Sequence, residues 1–298
     1  MASFKSKYWV FMLKLMGKKR NRATVEGFYK DLKKRRASDT YQPPKKLYEH
    51  FTITEREVDG FPVFTMKEKS TSMRQHLFYL HGGAYVGEIL PQQWEFAAHL
   101  AARTHSQVTI PIYPLAPEHT VETTLPFVQK VYAEIEENLG DFRMHVIGDS
   151  AGAGLAVAMA AEQVKAKGST SIRQLILVSP WVDVTMENET IPELDKVDPW
   201  LTPVGLKEAG KCYAGEADVR DPRVSPTFGT LEGLPPCHIM IGTRDILLPD
   251  ARLFASKLAD AEVKHSFRQV ADMFHCWVML DMPETRRARE EIIGLLQS

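Results

Sequence analysis

The sequence lacks the motifs that usually mark metal, disulfide or dinucleotide chemistry. It contains only three cysteines, Cys212, Cys237 and Cys276, and none belongs to a Cys-x-x-Cys pair. An odd count without a secretion signal is most simply explained by reduced thiols in a cytoplasmic protein. A His-Glu-x-x-His helix, a carboxylate-rich loop and a Gly-x-Gly-x-x-Gly turn are also absent. The sequence therefore predicts neither a metal nor a cofactor.

Long apolar runs are missing as well. The apolar stretch near the start is interrupted by Lys14, and no small-residue cleavage site follows it. It is therefore a poor signal peptide and too short to span a bilayer.

Charge is unevenly distributed. Residues 1–36 hold 12 Lys or Arg against Glu26 and Asp31, a local net charge of +10, although the whole chain carries −1 and the remainder therefore −11. Such asymmetry indicates a membrane-surface segment or an anion-binding arm. No recognisable nucleic-acid-binding module accompanies the basic cluster, so we do not expect a nucleic-acid partner.

Hydrophobic patterning predicts an α/β fold in a chain of 298 residues with 44% hydrophobic content, which is enough to bury a substantial core. Helical patterns separate most strand candidates from the third onward, which favours a mainly parallel, eight-stranded sheet flanked by helices. No internal repeat or long linker interrupts it. The strand candidates are residues 51–57, 62–67, 76–80, 108–112, 144–147, 174–178, 237–241 and 263–270.

The pentapeptide Gly148–Gly152 (GDSAG) follows an apolar strand candidate and opens an alanine-rich helical stretch. A G-x-S-x-G motif between a strand and a helix predicts a nucleophile elbow, with Ser150 on a strained turn. The helix dipole and the free amide of Ala151 would face an oxygen that becomes negative during acyl transfer. A serine loop without chemistry is the plain alternative.

A second glycine motif, His81–Ala84 (HGGA), directly follows the third strand candidate. In sites of this type the corresponding loop supplies further oxyanion-hole amides, and we assign these to Gly82 and Gly83. His81 is then expected to anchor the loop rather than to act as an acid or base.

An elbow serine needs a carboxylate and a histidine, which follow it in that chain order. Asp245 lies just past the seventh strand candidate and is the predicted acid; Asp250 competes, but its position at the start of a helical pattern predicts a helix cap. His275 lies in the turn after the last strand candidate and is the predicted base. His119 precedes the serine and breaks the expected order.

These motifs together resemble the hormone-sensitive lipase family of α/β-hydrolases, the group that contains many bacterial carboxylesterases. The resemblance implies an esterase with the triad Ser150, Asp245 and His275 and with oxyanion donors Gly82, Gly83 and Ala151. The chain departs from the family at Ala84, Ala153, Asp272 and Trp277, none of which is a reacting group. The matching segments, in the family's order, are 81–84, 113–119, 148–152, 179–181, 221–226 and 234–236, followed by Asp245 and His275.

The resemblance also implies a helical cap formed by residues 1–50 and 185–216, over a hydrolase core of 51–184 and 217–298. The apolar residues Phe4, Tyr8, Phe11 and Leu15 have near-helical spacing. Both a cap helix and a membrane-surface helix would have this pattern. We favour the cap. The oligomeric state stays open, and a homodimer is compatible with the sequence.

The function expected from these features is a serine carboxylesterase acting on short- to medium-chain acyl esters through a covalent acyl-enzyme. A serine peptidase or amidase on the same fold is one alternative, since amide and ester cleavage share this machinery. A small-molecule receptor that has lost catalysis is another, although the complete triad argues against it. The expected partner is a small-molecule ester.

Overall fold

The computed structural model describes residues 2–69, 72–140 and 143–298. All eight predicted strands are present in one sheet, with ends that differ from the predicted ones by at most two residues. The strands are β1 (Phe51–Val58), β2 (Phe61–Glu68), β3 (Gln75–Leu80), β4 (Ser106–Pro111), β5 (Arg143–Asp149), β6 (Ile172–Val178), β7 (Cys237–Gly242) and β8 (His265–Val270).

The sheet has the order β1-β2-β4-β3-β5-β6-β7-β8 and is parallel from β4 onward. β2 runs antiparallel to both of its neighbours, β1 and β4. Asp59 and Gly60 join β1 to β2, and both have positive φ, 50° and 82°. An Asp-Gly pair suits this because a two-residue hairpin turn requires left-handed backbone at both positions. The predicted mainly parallel α/β sheet is thereby confirmed.

Helices cover both faces of the sheet. Every residue of β3 is buried, as expected for a strand covered on both sides. In the described part of the chain the α-helices are α1 (Phe4–Leu15), α2 (Lys18–Asn21), α3 (Val25–Ser38), α4 (Leu47–His50), α5 (Pro91–Thr104), α6 (Val121–Glu137), α7 (Ala151–Lys167), α8 (Ile191–Asp195), α9 (Pro203–Ala214), α10 (Leu248–Asp260) and α11 (Pro283–Gln297).

The two stretches predicted to form a cap contact each other. The Thr202 hydroxyl, at the start of α9, donates to the Arg22 carbonyl oxygen at 2.9 Å. Lys19 in α2 donates to the Asp198 carbonyl oxygen at 2.8 Å and pairs with the Asp195 carboxylate at 2.8 Å. Of the helices described, none is both long and apolar enough to traverse a bilayer.

Candidate active site

Ser150 occupies the turn between β5 and α7 with φ 53° and ψ −119°. L-residues rarely adopt this backbone conformation, so the surroundings must hold it in place. The Ser150 amide donates to the Val178 carbonyl oxygen at 2.9 Å, and its own carbonyl accepts from the Trp181 amide at 3.0 Å. Glycine is needed nearby, because a Cβ on Gly148 would lie 2.5 Å from the carbonyl carbon of Gly152. The motif therefore has the strained geometry of a nucleophile elbow.

His275 and Asp245 form a buried hydrogen-bonded pair. The distance from His275 Nδ1 to Asp245 Oδ2 is 2.8 Å, and both side chains are almost fully shielded from solvent. Asp245 Oδ1 also accepts from the Leu247 amide at 3.0 Å. When the neutral ring donates from Nδ1 to the carboxylate, Nε2 is left unprotonated and able to accept a proton.

The fold brings these two residues together by joining the loops that follow β7 and β8. The Thr243 amide donates to the Val270 carbonyl oxygen at 3.1 Å, and the Arg244 amide donates to the Met273 carbonyl oxygen at 2.8 Å. Since β7 and β8 are parallel neighbours, their carboxyl ends meet at the same edge of the sheet.

The pKa of His275 reflects two opposing effects. Burial alone would lower it, but the negative charge and hydrogen bond of Asp245 outweigh burial and raise the pKa well above the ordinary histidine value. The Trp200 ring lies edge-on to the imidazole, with ring centroids 5.9 Å apart. His275 is thus held by the Asp245 carboxylate on one side and by Trp200, which belongs to the stretch 185–216, on another.

The loop that carries Gly82 and Gly83 packs directly against the elbow. A Cβ on Gly82 would lie 3.0 Å from Cβ of Ser150 and 2.8 Å from the Asp149 carbonyl oxygen. Gly83 has φ 145°, and its carbonyl oxygen accepts from the Gly87 amide at 2.9 Å. Only a residue without a side chain fits this close approach.

The Gly82 amide lies near the carboxylate of Asp149 and favours the charged form of that group. The assignment of Gly82 as an oxyanion donor stays a prediction. The amides of Gly83, Ala84 and Ala151 donate no hydrogen bond within the described residues. Ala84 has φ 56° and was not among the predicted donors, because the motif was interpreted from its glycines alone.

His81 holds this loop in place. Its ring stacks on Tyr113 with centroids 4.3 Å apart, and the Tyr113 hydroxyl donates to the His81 carbonyl oxygen at 2.6 Å. Burial lowers the pKa of His81 to about 4, so the ring is neutral near pH 7. This geometry fits an anchor and not a proton carrier.

Asp149 connects the two glycine motifs, a role that sequence reasoning missed. Its carboxylate accepts from the Tyr79 hydroxyl at 2.5 Å and from Gln93 Nε2 at 2.8 Å, and Gln93 Nε2 also lies 3.3 Å from the Gly82 carbonyl oxygen. Burial raises the pKa of Asp149 although these donors oppose the shift. The thiol of Cys276, which follows the base, lies 3.7 Å from Asp149 Oδ2. The His275 loop is thereby held against the elbow.

Asp198 is a second residue that sequence reasoning missed, and no motif marks it. One carboxylate oxygen accepts from the Trp200 and Leu201 amides at 2.7 and 2.8 Å, and the other accepts from the Ile246 amide at 3.0 Å. Burial, reinforced by the charge of Asp245, raises the pKa of Asp198 to about 6. Asp198 thus connects residues 185–216 to the residue immediately after Asp245.

The competing candidates lie elsewhere. Asp250 is inside the first turn of α10, which has Leu247 at its N-cap and no side-chain cap bond, so the predicted cap role was wrong. Burial and the nearby charge of Asp183 raise the pKa of Asp250 to about 7. His119 packs edge-on against Phe61 with ring centroids 5.1 Å apart. Neither side chain bonds to His275.

No cluster of three or more His, Cys, Asp or Glu suited to a metal occurs among the described residues. The arrangement offers instead a serine at a helix N-terminus, a carboxylate-supported imidazole and free backbone amides. Together these groups are suited to acyl transfer.

Comparisons with known proteins agree with this fold. A family model described as the alpha/beta hydrolase fold matches residues 77–279. An esterase of Acinetobacter venetianus is 34% identical over 226 residues, which is 74% of this chain and 74% of that protein. An acetyl-hydrolase of Streptomyces hygroscopicus is 30% identical over 217 residues, which is 72% of each chain.

Solved structures show the same fold. The structure of EstE5 soaked with p-nitrophenyl butyrate superimposes with a TM-score of 0.85 at 23% identity, covering 99% of this chain and 98% of that one. An esterase from the bacterial hormone-sensitive lipase family superimposes with a TM-score of 0.81 at 23% identity, covering 100% and 99%.

Proposed function

Because the chain belongs to the alpha/beta-hydrolase family, we propose that it is an esterase of the hormone-sensitive lipase type that cleaves short- to medium-chain acyl esters through a covalent acyl-enzyme. The observation that carries the proposal is the 2.8 Å bond between His275 and Asp245, in a loop held against the elbow of Ser150. In a serine hydrolase these three groups act as nucleophile, base and acid.

In the first half of the reaction, the Ser150 oxygen attacks the ester carbonyl carbon while His275 Nε2 takes the serine proton. Asp245 orients the ring and stabilises the imidazolium that forms. The negative charge that develops on the carbonyl oxygen is bound by amides of the loop 82–84, including Gly82 and Gly83, and by the Ala151 amide at the positive end of α7. His275 then protonates the leaving alcohol, and the acyl group stays on Ser150.

In the second half, a water molecule takes the place of the alcohol. His275 removes a proton from this water as it attacks the acyl carbon, and the same amides bind the oxyanion again. Collapse of this intermediate releases the acid and returns the proton to Ser150. Apart from the ester and one water molecule, both halves use only groups of the chain.

We also propose that residues 1–50 and 185–216 form a cap over the core of residues 51–184 and 217–298. The bonds of Lys19 and Thr202 between the two stretches support this proposal, as does the contact of Trp200 with the base. A cap that limits water access strengthens the electrostatic interactions at the reacting carbonyl.

Hydrolysis of a series of p-nitrophenyl esters from acetate to octanoate tests the proposed substrate class. We expect kcat/KM to be highest among the short and medium chains, and Ser150→Ala to lower kcat by about 10⁴ or more while the circular dichroism spectrum is unchanged. Preferential turnover of a matched p-nitroanilide would favour an amidase. Specific binding of esters without turnover would favour a receptor.

A further inference from the structure

The outward face of α1 carries large apolar side chains that no other part of the described chain covers. Phe4 is 87% exposed, Phe11 62%, Leu15 68% and Tyr8 50%. Single exposed apolar residues are common on protein surfaces. A group of neighbouring ones as exposed as these marks an interaction site. We call these four residues the outer stripe.

The outer stripe is a regular feature of the helix. At 3.6 residues per turn its four side chains fall within an arc of about 60° and extend for about 16 Å along the axis. The opposite side of the helix carries Ser6, Val10 and Leu13, which are buried. α1 can therefore be both a cap helix and a membrane-surface helix, because its buried face packs on the protein while its opposite face is exposed.

Unpaired cations flank the outer stripe and occur elsewhere in the N-terminal segment. Lys7 and Lys14 are exposed, lie beside the stripe on the helix and form no ion pair within the described residues. In α2 and α3 the exposed cations that also form no ion pair within the described residues are Arg20, Lys30, Lys33 and Lys34. Residues 1–36 carry a net charge of +10 in a chain whose total is −1. A partner for this face therefore has to be apolar at its contact and negatively charged around it.

We propose that α1 binds the surface of an anionic lipid bilayer, with the outer stripe in the boundary between headgroups and acyl chains and the unpaired lysines on the headgroups. An apolar face flanked by lysines is the pattern of interfacial helices, and each cation near an anionic membrane strengthens attachment. A second copy of this chain fits less well, because pairing through this face would bring two basic segments together.

The position of α1 relates this surface to the candidate active site. Its inner residues Val10 and Leu13 belong to the same apolar cluster as Trp277 and Met279, which follow His275 closely in the chain. The Ser3 amide also donates to Glu284 Oε1 at 2.6 Å, at the start of α11. α1 therefore packs, through its inner face, on the same apolar cluster as the segment that follows the proposed base.

The test is sedimentation of the full chain with vesicles of phosphatidylcholine and phosphatidylglycerol in a 3:1 ratio, and with vesicles of phosphatidylcholine alone. We expect binding to the anionic vesicles that weakens at least tenfold in F11D/L15D and in K7E/K14E, and that falls in 0.5 M salt. Leu253→Asp, at an apolar position of α10 that is 44% exposed, and Lys264→Glu, an exposed lysine before β8, are matched controls that should bind like the unaltered chain.

The rate at which F11D/L15D hydrolyses a soluble ester should stay within twofold of the rate of the unaltered chain. A larger loss would reveal a folding defect. This readout rests on the proposed function, whereas vesicle binding does not. The proposal is overturned if the unaltered chain does not sediment with anionic vesicles, or if it binds neutral vesicles equally well. It is also overturned if F11D/L15D binds normally, or if this variant instead dissociates a dimer detected by sedimentation velocity.

Discussion

The candidate active site has two corners that are built in different ways. The oxyanion corner consists of two short segments, 81–84 and 148–152. Its geometry is determined by backbone conformation. The acid–base corner joins His275, Asp245 and Asp198 from three separate segments, through bonds between a side chain and its neighbours. The structure of the oxyanion corner depends on glycines at positions where a Cβ would not fit. The structure of the acid–base corner depends on buried charged side chains. We therefore expect mutations in the second corner to act on protonation and those in the first to act mainly on backbone conformation.

The largest effect is expected when the charge of the acid–base corner is removed. Asp245→Asn should lower kcat by about 10⁴, because an amide favours the wrong tautomer of His275. The measurement is kcat for p-nitrophenyl butyrate with the variant shown to be folded.

Asp250→Asn is the matched control, since Asp250 is also a buried carboxylate but does not contact His275. Its kcat should change less than threefold. Because burial and Asp183 raise the pKa of Asp250 to about 7 in the folded protein, its ionisation destabilises the fold at higher pH. The melting temperature of Asp250→Asn should therefore exceed that of the unaltered chain by more at pH 8 than at pH 6. A loss of kcat like that of Asp245→Asn would contradict the assignment of the acid.

An intermediate effect is expected at Asp198, which holds the Ile246 amide with one carboxylate oxygen. In Asp198→Asn one of the two oxygens becomes an amide nitrogen that cannot accept a bond, so the loop that carries Asp245 should shift. We expect kcat to fall by up to about 10², the loss that a small misplacement of reacting groups causes.

A purely structural role for Asp198 would leave the pH dependence unchanged. Removing its negative charge near the His275–Asp245 pair should instead lower the pKa of His275 and move the acid limb of kcat/KM to lower pH. An unchanged acid limb together with a lower melting temperature would show that Asp198 only stabilises the fold.

The pH profile of the unaltered chain tests the electrostatics of the same corner. His275 accepts a proton only when it is neutral, and Asp245 raises its pKa above the ordinary value. Activity should therefore be lost as pH falls, with an apparent pKa in kcat/KM above about 6.5. A profile that stays flat down to pH 4.5 in folded protein would exclude a histidine base.

The smallest effect is expected in the oxyanion corner at Ala84, where a side chain is held at φ 56°. Ala84→Gly should raise the free energy of unfolding by up to about 1 kcal/mol, because glycine adopts this conformation without the penalty of a Cβ. Since the amide is retained, kcat should change less than threefold. Urea denaturation measures the first quantity, and a destabilised variant would show that Ala84 is not strained.

The same contrast explains how much could be predicted from the sequence. The eight strands, the elbow and the pairing partners Asp245 and His275 follow from local patterns, namely apolar runs, glycines and the residues just past strand ends. The oxyanion assignment of Gly82 stays a prediction, because the direction of a backbone amide depends on its neighbours, and this amide lies near the carboxylate of Asp149.

Asp198 was missed for a related reason. Its role arises from bonds to residues about 50 positions away in the chain, such as the bond to Ile246, and no spacing rule reports such a contact. The outer stripe was visible as a pattern, but only the structure shows that Phe4 and Leu15 point away from the helix face that packs on the core.

The central claim is that Ser150 carries the acyl group between the two halves of the reaction. Rapid mixing with p-nitrophenyl butyrate, quenching in acid and mass spectrometry of the peptide that contains Ser150 test it most directly. We expect a butyryl adduct on Ser150 that forms before steady turnover and is absent from Ser150→Ala. Turnover without any adduct on Ser150 under these conditions, or continued turnover by Ser150→Ala, would contradict it.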